Sequence, residues 1–208
     1  MGRHFDLRQD KEHGDDARQE IAILEIVKHA NVAQLLDAWL IDKSYVLVLK
    51  HGGLSLRHML KTERFMPLHT VFSIMAQICA GLGQSHRCDI IHNDLSTSNV
   101  LVDPGGSVSL CDFGNSIVHR AGWQGIWTPS LLHKNGLQEI TLRYRAPEVS
   151  LGLSNYGLPV DTWSAGCIFG ELAGGEVPVP AQCRPPLTLP SGNQDTMYMC
   201  THAQRFYF

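Results

Sequence analysis

Apolar residues recur along this chain with two periods, and the switches between them divide it into elements. In DDARQEIAILEIVKHAN, residues 15–31, Ile21, Leu24 and Val27 fall on one face at helical spacing, with Glu20 near the start. VAQLLDAWLI and SYVLVLK, residues 32–41 and 44–50, are rich in branched and aromatic residues and are separated only by Asp42 and Lys43. They predict a two-stranded hairpin, followed by the turn-prone His51-Gly52-Gly53. From Leu68 to His86, the residues Phe72, Met75, Cys79 and Leu82 mark a longer amphipathic helix. IIHNDLSTSNVLV, residues 90–102, then places a polar loop between two short branched runs, and NVLV and SVSLCD flank the turn signal Asp103-Pro104-Gly105-Gly106. The stretch 115–145 has no clear period, and so long a loop inside a compact domain usually carries function or disorder. DTWSAGCIFGELAG, residues 161–174, is apolar nearly all round and reads as a core helix. Residues 1–14 are polar and unpatterned, while 176–208 are proline-rich and predict an extended or flexible tail.

Composition narrows the function class more than the fold. A net charge of -3, from 17 basic and 20 acidic residues, gives no electrostatic footprint for nucleic acid or an anionic membrane. The six cysteines lie singly with no C-x-x-C pair, so they read as reduced thiols in a cytoplasmic or nuclear protein. No apolar run approaches a membrane span, and Asp6 stands where a myristoylation signal needs Ser or Thr, so the chain is expected to be soluble.

The candidate chemistry sits in the polar loop. Asp94 precedes Asn99 by five positions, so a carboxylate able to accept a proton from a hydroxyl is paired with an amide oxygen able to ligate a hard cation. Taken alone, this spacing is also that of an ordinary polar turn. Further along come Asp112-Phe113-Gly114, then Ala146-Pro147-Glu148, then Asp161-Thr162-Trp163-Ser164-Ala165-Gly166-Cys167.

In that order, H-x-D-L-x-x-x-N, D-F-G, A-P-E and D-x-W-S-x-G-C resemble the eukaryotic protein kinases over residues 15–175. TLRYRAPEVSLG and DTWSAGCIFGEL look most like the cyclin-dependent and MAP kinase branch. The resemblance implies an α+β, protein-kinase-like fold with a mostly helical C-lobe and a partial N-lobe made of the αC helix and two strands. It implies a serine/threonine kinase that moves the γ-phosphoryl group of ATP, with Mg²⁺, to a protein Ser or Thr. Asp94 would be the catalytic base, and Asn99 and Asp112 would hold the metal. Leu49, Lys50, His51 and Gly52 match the hinge that reads adenine, and Leu101 the apolar floor beneath it. Glu20 falls where the helix glutamate pairs with a strand lysine, although as a bare feature it reads as a solvated helix charge. Phe113 would stack on His92, Asp161 would brace the catalytic loop through its backbone amides, and Arg145 resembles the arginine that favours a proline after the acceptor.

Several positions depart from the pattern. Neither a G-x-G-x-x-G loop nor the phosphate-gripping strand lysine precedes Glu20, and the last C-lobe helices are replaced by the proline-rich tail. Weak MgATP binding is therefore expected, and a catalytically inactive pseudokinase, splice form or fragment acting as a binding module is the alternative. Ser96 replaces the catalytic-loop lysine. The three basic residues that grip an activation-segment phosphate are Gln19, Asn93 and Ile117 here, and the acceptor position is Gly136, so that switch is not expected to operate. Arg18 stands where cyclin-dependent kinases present an isoleucine to the cyclin, which argues against cyclin binding. H-N-D also occurs in choline-kinase-like phosphotransferases, but those lack the later motifs.

Overall fold

The computed structural model describes residues 2–6, 11–41, 44–62, 66–118, 143–150 and 156–174. Two layers meet in one main hydrophobic core. The first is an antiparallel sheet of β1 (Gly2–Asp6), β3 (Ser44–Leu49) and β2 (Leu35–Ile41), with β3 in the middle and α1 (Lys11–Ile26) beside it. The second is built on α3 (Leu68–Arg87) and receives the short α2 (Leu56–Thr62), a small three-stranded sheet and a two-stranded pair.

The sheet has three strands where the sequence pattern gives two, and residues 2–6 and 11–14 are in a strand and a helix where the pattern is blank. β1 is held by main-chain pairing with β3, from Gly2↔Val48 to Asp6↔Ser44, which needs no side-chain alternation of its own. α1 begins at Lys11, ten residues before Ile21, the first residue of the apolar repeat, because helical hydrogen bonding extends over polar residues once a face is anchored.

α3 keeps its expected span but buries a face rotated by about one residue. Val71, Ile74, Ile78 and Leu82 point into the core, whereas Phe72 and Cys79 are exposed and Met75 is half-buried. Gly81 sits where α3 passes closest to the connector after α1, and a Cβ there would stand 2.6 Å from the Asn31 carbonyl oxygen. That connector is pinned. The Asn31 side-chain amide donates to the Val108 carbonyl at 2.7 Å and to Gln77 Oε1 at 3.1 Å. Leu110 N–H donates to Asn31 at 2.9 Å, and Ala33 N–H to Leu110 at 2.7 Å.

The apolar runs around the polar loop form β5 (Ile90–Ile91) and β6 (Val100–Val102). β6 turns through Asp103–Gly106 into β7 (Val108–Leu110), with Asp103 Oδ1 accepting from Ser107 N–H at 2.8 Å and Gly106 supplying the left-handed φ of 82°. β4 (Leu54–Ser55) extends this hairpin on one side, and β5 pairs separately with β8 (Ile117–Val118). After the single turn of α4 (Pro147–Ser150), α5 (Pro159–Gly174) packs against α3. α5 is not buried all round. Asp161, Ser164, Ala165, Ile168 and Leu172 face inward, but Trp163 and Phe169 are 41% and 39% exposed, with Phe169 stacked on exposed Phe72 at 6.3 Å. The expectations for Thr128, Ser130, Gly136 and the tail 176–208 fall outside the described residues.

Candidate active site

The loop between β5 and β6 is held from below by one carboxylate. Asp161, wholly buried at the start of α5, accepts the Asn93 N–H on Oδ1 at 2.9 Å and the His92 N–H on Oδ2 at 2.8 Å. His86 Nε2, at the end of α3, reaches the same Oδ2 at 2.8 Å. Two loop amides with no ladder partner are thereby satisfied, and Asn93 is fixed at φ 63°, a left-handed conformation that asparagine tolerates better than most residues. His92 is itself buried. Its Nε2 donates to the Cys111 carbonyl at 3.1 Å, and its ring packs on Phe113 with centroids 4.6 Å apart and planes tilted 48°.

This bracing brings together the residues expected to carry the chemistry. The Asn99 side-chain amide donates to the Asp94 carbonyl at 2.8 Å, closing the loop and turning Asn99 Oδ1 away from that bond. Cys111 N–H donates to the Asn99 carbonyl at 2.9 Å, which seats the residue just before Asp112 beside the loop. Asp112 adopts φ 71°, also left-handed, a cost of the kind that clusters at working sites. Asp94 Oδ2 accepts from Asn115 Nδ2 at 3.2 Å, while its buried Oδ1 has no hydrogen-bond partner.

The electrostatics follow from this placement. Burial raises the Asp94 carboxyl above the ordinary carboxylate range, and the neighbouring Asp112 charge pushes the same way; His92, the Asn115 bond and Arg145 act against them. Arg145 is lowered by burial, with Asp94 opposing. Both residues line a shallow, open cleft together with Asn93, Tyr144, Val149 and Ser164. Under this cleft Tyr144 bonds Thr97 at 2.9 Å and donates to Glu171, and burial raises its phenol far above the usual range.

The residues expected around the adenine lie at the junction of the two layers. Leu49 is buried and Lys50 N–H donates to the Gln34 carbonyl at 2.9 Å, while the side chains of Lys50 and His51 are exposed. Gly52 lies against Leu101: a Cβ there would come within 2.8 Å of Leu101 Cδ1, so glycine permits hinge and floor to close together. Glu20 is not a solvated helix charge. It is wholly buried on the inward face of α1 with Ala17 and Leu24, because that face packs on the core. Asn115 and Tyr156 were not anticipated. Nothing local marks either, since their bonds reach Asp94 and Asn93 across 21 and 63 residues.

Among the described residues no helix is long and apolar enough to cross a membrane, and no group of three or more His, Cys, Asp or Glu is placed to hold a metal. A set of one amide and one carboxylate suits Mg²⁺, which keeps several waters and takes the rest of its shell from substrate phosphates.

The braced loop thus carries the half-buried Asp94 carboxylate beside Asn99, with the Asp112 charge close enough to act on it. Residues 3–201 match the model of the protein kinase domain, and the chain belongs to the protein kinase family. It is 35% identical over 171 residues to Cell division control protein 2 homolog 3 of Trypanosoma brucei brucei, covering 82% of this chain and 52% of that protein. The likeness supports the cyclin-dependent-kinase-like branch read from the sequence, and the chain spans about half the length of this curated relative. Protein kinases generally use ATP and Mg²⁺ and act on protein substrates.

Proposed function

We propose that this chain carries the phosphoryl-transfer half of a cyclin-dependent-kinase-like serine/threonine kinase, moving the γ-phosphoryl group of ATP to a protein hydroxyl. The observation that carries the reading is the Asp94 carboxylate. It is half-buried, fixed through Oδ2 by Asn115, has an inaccessible Oδ1 unoccupied by any hydrogen bond, and lines a cleft shared with Arg145. Its raised proton affinity makes it a better acceptor for the proton of a serine or threonine hydroxyl than an exposed aspartate.

Asn99 and Asp112 would hold Mg²⁺, whose role is to neutralise charge on the ATP phosphates. The fit rests on two features. Asn99 spends its NH₂ on the Asp94 carbonyl and so keeps its oxygen for a cation, and Asp94 and Asp112 repel one another across a gap that a divalent ion would compensate. Leu49 to Gly52 and Leu101 would receive the adenine, and Glu20 would contribute from α1. Arg145 and the half-buried Val149 would shape the pocket for the residue after the acceptor, favouring proline.

Two measurements test the proposal. Calorimetric titration should detect MgATP binding, however weak, that disappears in Asp112→Ala. Transfer of the γ-phosphoryl group to a Ser-Pro or Thr-Pro peptide should disappear in Asp94→Asn while the fold is retained. Transfer that survives Asp94→Asn would remove Asp94 from the role of base.

A further inference from the structure

α1 and the catalytic loop converge on two consecutive carbonyls just beyond Asp112. The Gln19 side-chain amide donates to the Ser116 carbonyl. The Asn93 side-chain amide donates to the Asn115 carbonyl at 3.0 Å. Asn93 Oδ1 is used as well, accepting from the Tyr156 hydroxyl at 3.2 Å. On the same stretch Ser116 Oγ donates to the His92 carbonyl at 3.2 Å, and Ile117 is buried against Ile91, Ala146 and Val160.

We propose that Gln19 and Asn93 are positioning residues: two neutral amide donors that lock the segment 115–118 between α1 and the catalytic loop, so that Asn115 stays in place to hold Asp94. The proposal rests on the kinase reading for what the alignment is for, and on geometry alone for the clamp.

The physical case is one of replacement. An arginine cluster orders a loop only after a phosphate arrives, because two like-charged guanidinium groups have no reason to converge without it. Side-chain amides need no such ligand. Each donates directly to a main-chain carbonyl and keeps doing so whatever the phosphorylation state or salt concentration. The bonds also form a connected path. Tyr156 fixes the Asn93 amide plane, Asn93 fixes the Asn115 main chain, and the Asn115 side chain donates to Asp94 Oδ2 at 3.2 Å. Gln19 holds the next carbonyl from the opposite side, from a helix whose inward face is part of the core. Ile117 then needs no charge, and it sits in an apolar cluster where a basic side chain would be buried at a penalty.

Hydrogen exchange on the full 208-residue chain tests the clamp without requiring turnover. The probes are Gln19→Met, which keeps length but loses the donor, and Asn93→Asp, which keeps shape and tolerance of a left-handed backbone but loses the donor. Each should speed exchange of the Ser116, Ile117 and Val118 amides by about two- to tenfold, the span expected for one net hydrogen bond. Gln19→Lys, which restores a donor, should return protection toward the original. The side-chain amide resonance of Asn115 should shift in both donor-less variants. Phosphatase treatment of the unmodified sequence should leave protection unchanged. Unchanged exchange in the donor-less variants, equal loss in Gln19→Lys, an unmoved Asn115 resonance, or loss of protection on phosphatase treatment would each overturn the proposal. Absence of phosphotransfer in the unmodified chain would instead count against the kinase reading and leave the exchange result standing.

Discussion

Replacing Asp161 with alanine should cost the fold about 3 kcal/mol, and the figure can be built from its three contacts. The His92 N–H belongs to a wholly buried residue and points at Oδ2 from 2.8 Å, so without the carboxylate it is orphaned, at about 1–3 kcal/mol. The Asn93 N–H, 2.9 Å from Oδ1, belongs to a half-buried residue that water can reach, so it falls at the low end of the same range. His86 is 20% exposed and can turn to solvent, so its lost contact adds little. Against these losses stands relief from burying a carboxylate, which keeps the net below the upper end of about 3–5 kcal/mol seen when one partner of a buried pair is deleted. Asp161→Asn keeps volume and one acceptor but turns NH₂ toward the other loop amide, so it should lose about 2 kcal/mol. Urea titrations read at constant m-value measure both variants, and exchange at the His92 and Asn93 amides reports where the loss falls. A loss below about 1 kcal/mol in the alanine variant, or loop amides no less protected than before, would refute the account of Asp161 as the brace of the loop.

Other substitutions separate competing effects. Gly81→Ala gains about 1 kcal/mol of helix propensity but drives a Cβ to 2.6 Å from the Asn31 carbonyl and 3.0 Å from Leu110, so a net loss of about 1–2 kcal/mol is expected in chemical denaturation. Gly83→Ala, on the same helix, meets only Arg87 Nη1 at 3.9 Å and should stabilise by up to about 1 kcal/mol; equal effects from the two changes would remove the steric argument. Asp94→Asn should raise the melting temperature at neutral pH. The folded carboxyl has a raised proton affinity, so its contribution to stability is full below the unfolded value of 3.8 and falls as pH rises through the folded value. The advantage of the asparagine variant should therefore vanish on acidification toward 3.8, and a melting temperature unchanged by the substitution at pH 7 would contradict it. Burial pushes the Cys167 thiol up to about 11, so at pH 8 iodoacetamide should modify exposed Cys79 well before Cys167 in the native protein, and matching rates by mass spectrometry would show that Cys167 is reachable.

The parts of the molecule legible in the sequence are those where one short stretch determines its own geometry. The β6–β7 hairpin follows from branched runs around a glycine turn, and the loop with Asp94 and Asn99 from the polar break between Ile91 and Val100. α3 was legible as a helix but not in phase. It is packed by β7 and by α5, so its apolar arc is wide, and a choice between Phe72 and Val71 as the inward residue differs by only one step of about 100°. Glu20 illustrates a different limit, because a carboxylate on an amphipathic helix reads as solvated unless the tertiary packing of that face is known. The contacts of Asn115, Tyr156 and Gln19 were illegible for a third reason. Their amides and hydroxyl act on groups 21 to 97 residues away, and no local pattern encodes such a meeting.

The pinning of Asn31 also governs how the molecule comes apart. Its side chain spans 46 residues to Gln77 and 77 residues to Val108, and the neighbouring Val32 makes a parallel bridge with Leu110. Any opening that parts α1 and β2 from the helical layer must break these bonds and expose Val32 and Leu110, both buried in the shared core. Such an opening breaks buried contacts belonging to both layers at once, which disfavours a separate low-energy foldon for the strand layer. The connector from Val27 to Gln34 thus couples the two layers, and one unfolding transition is the expected outcome where a looser junction would give two.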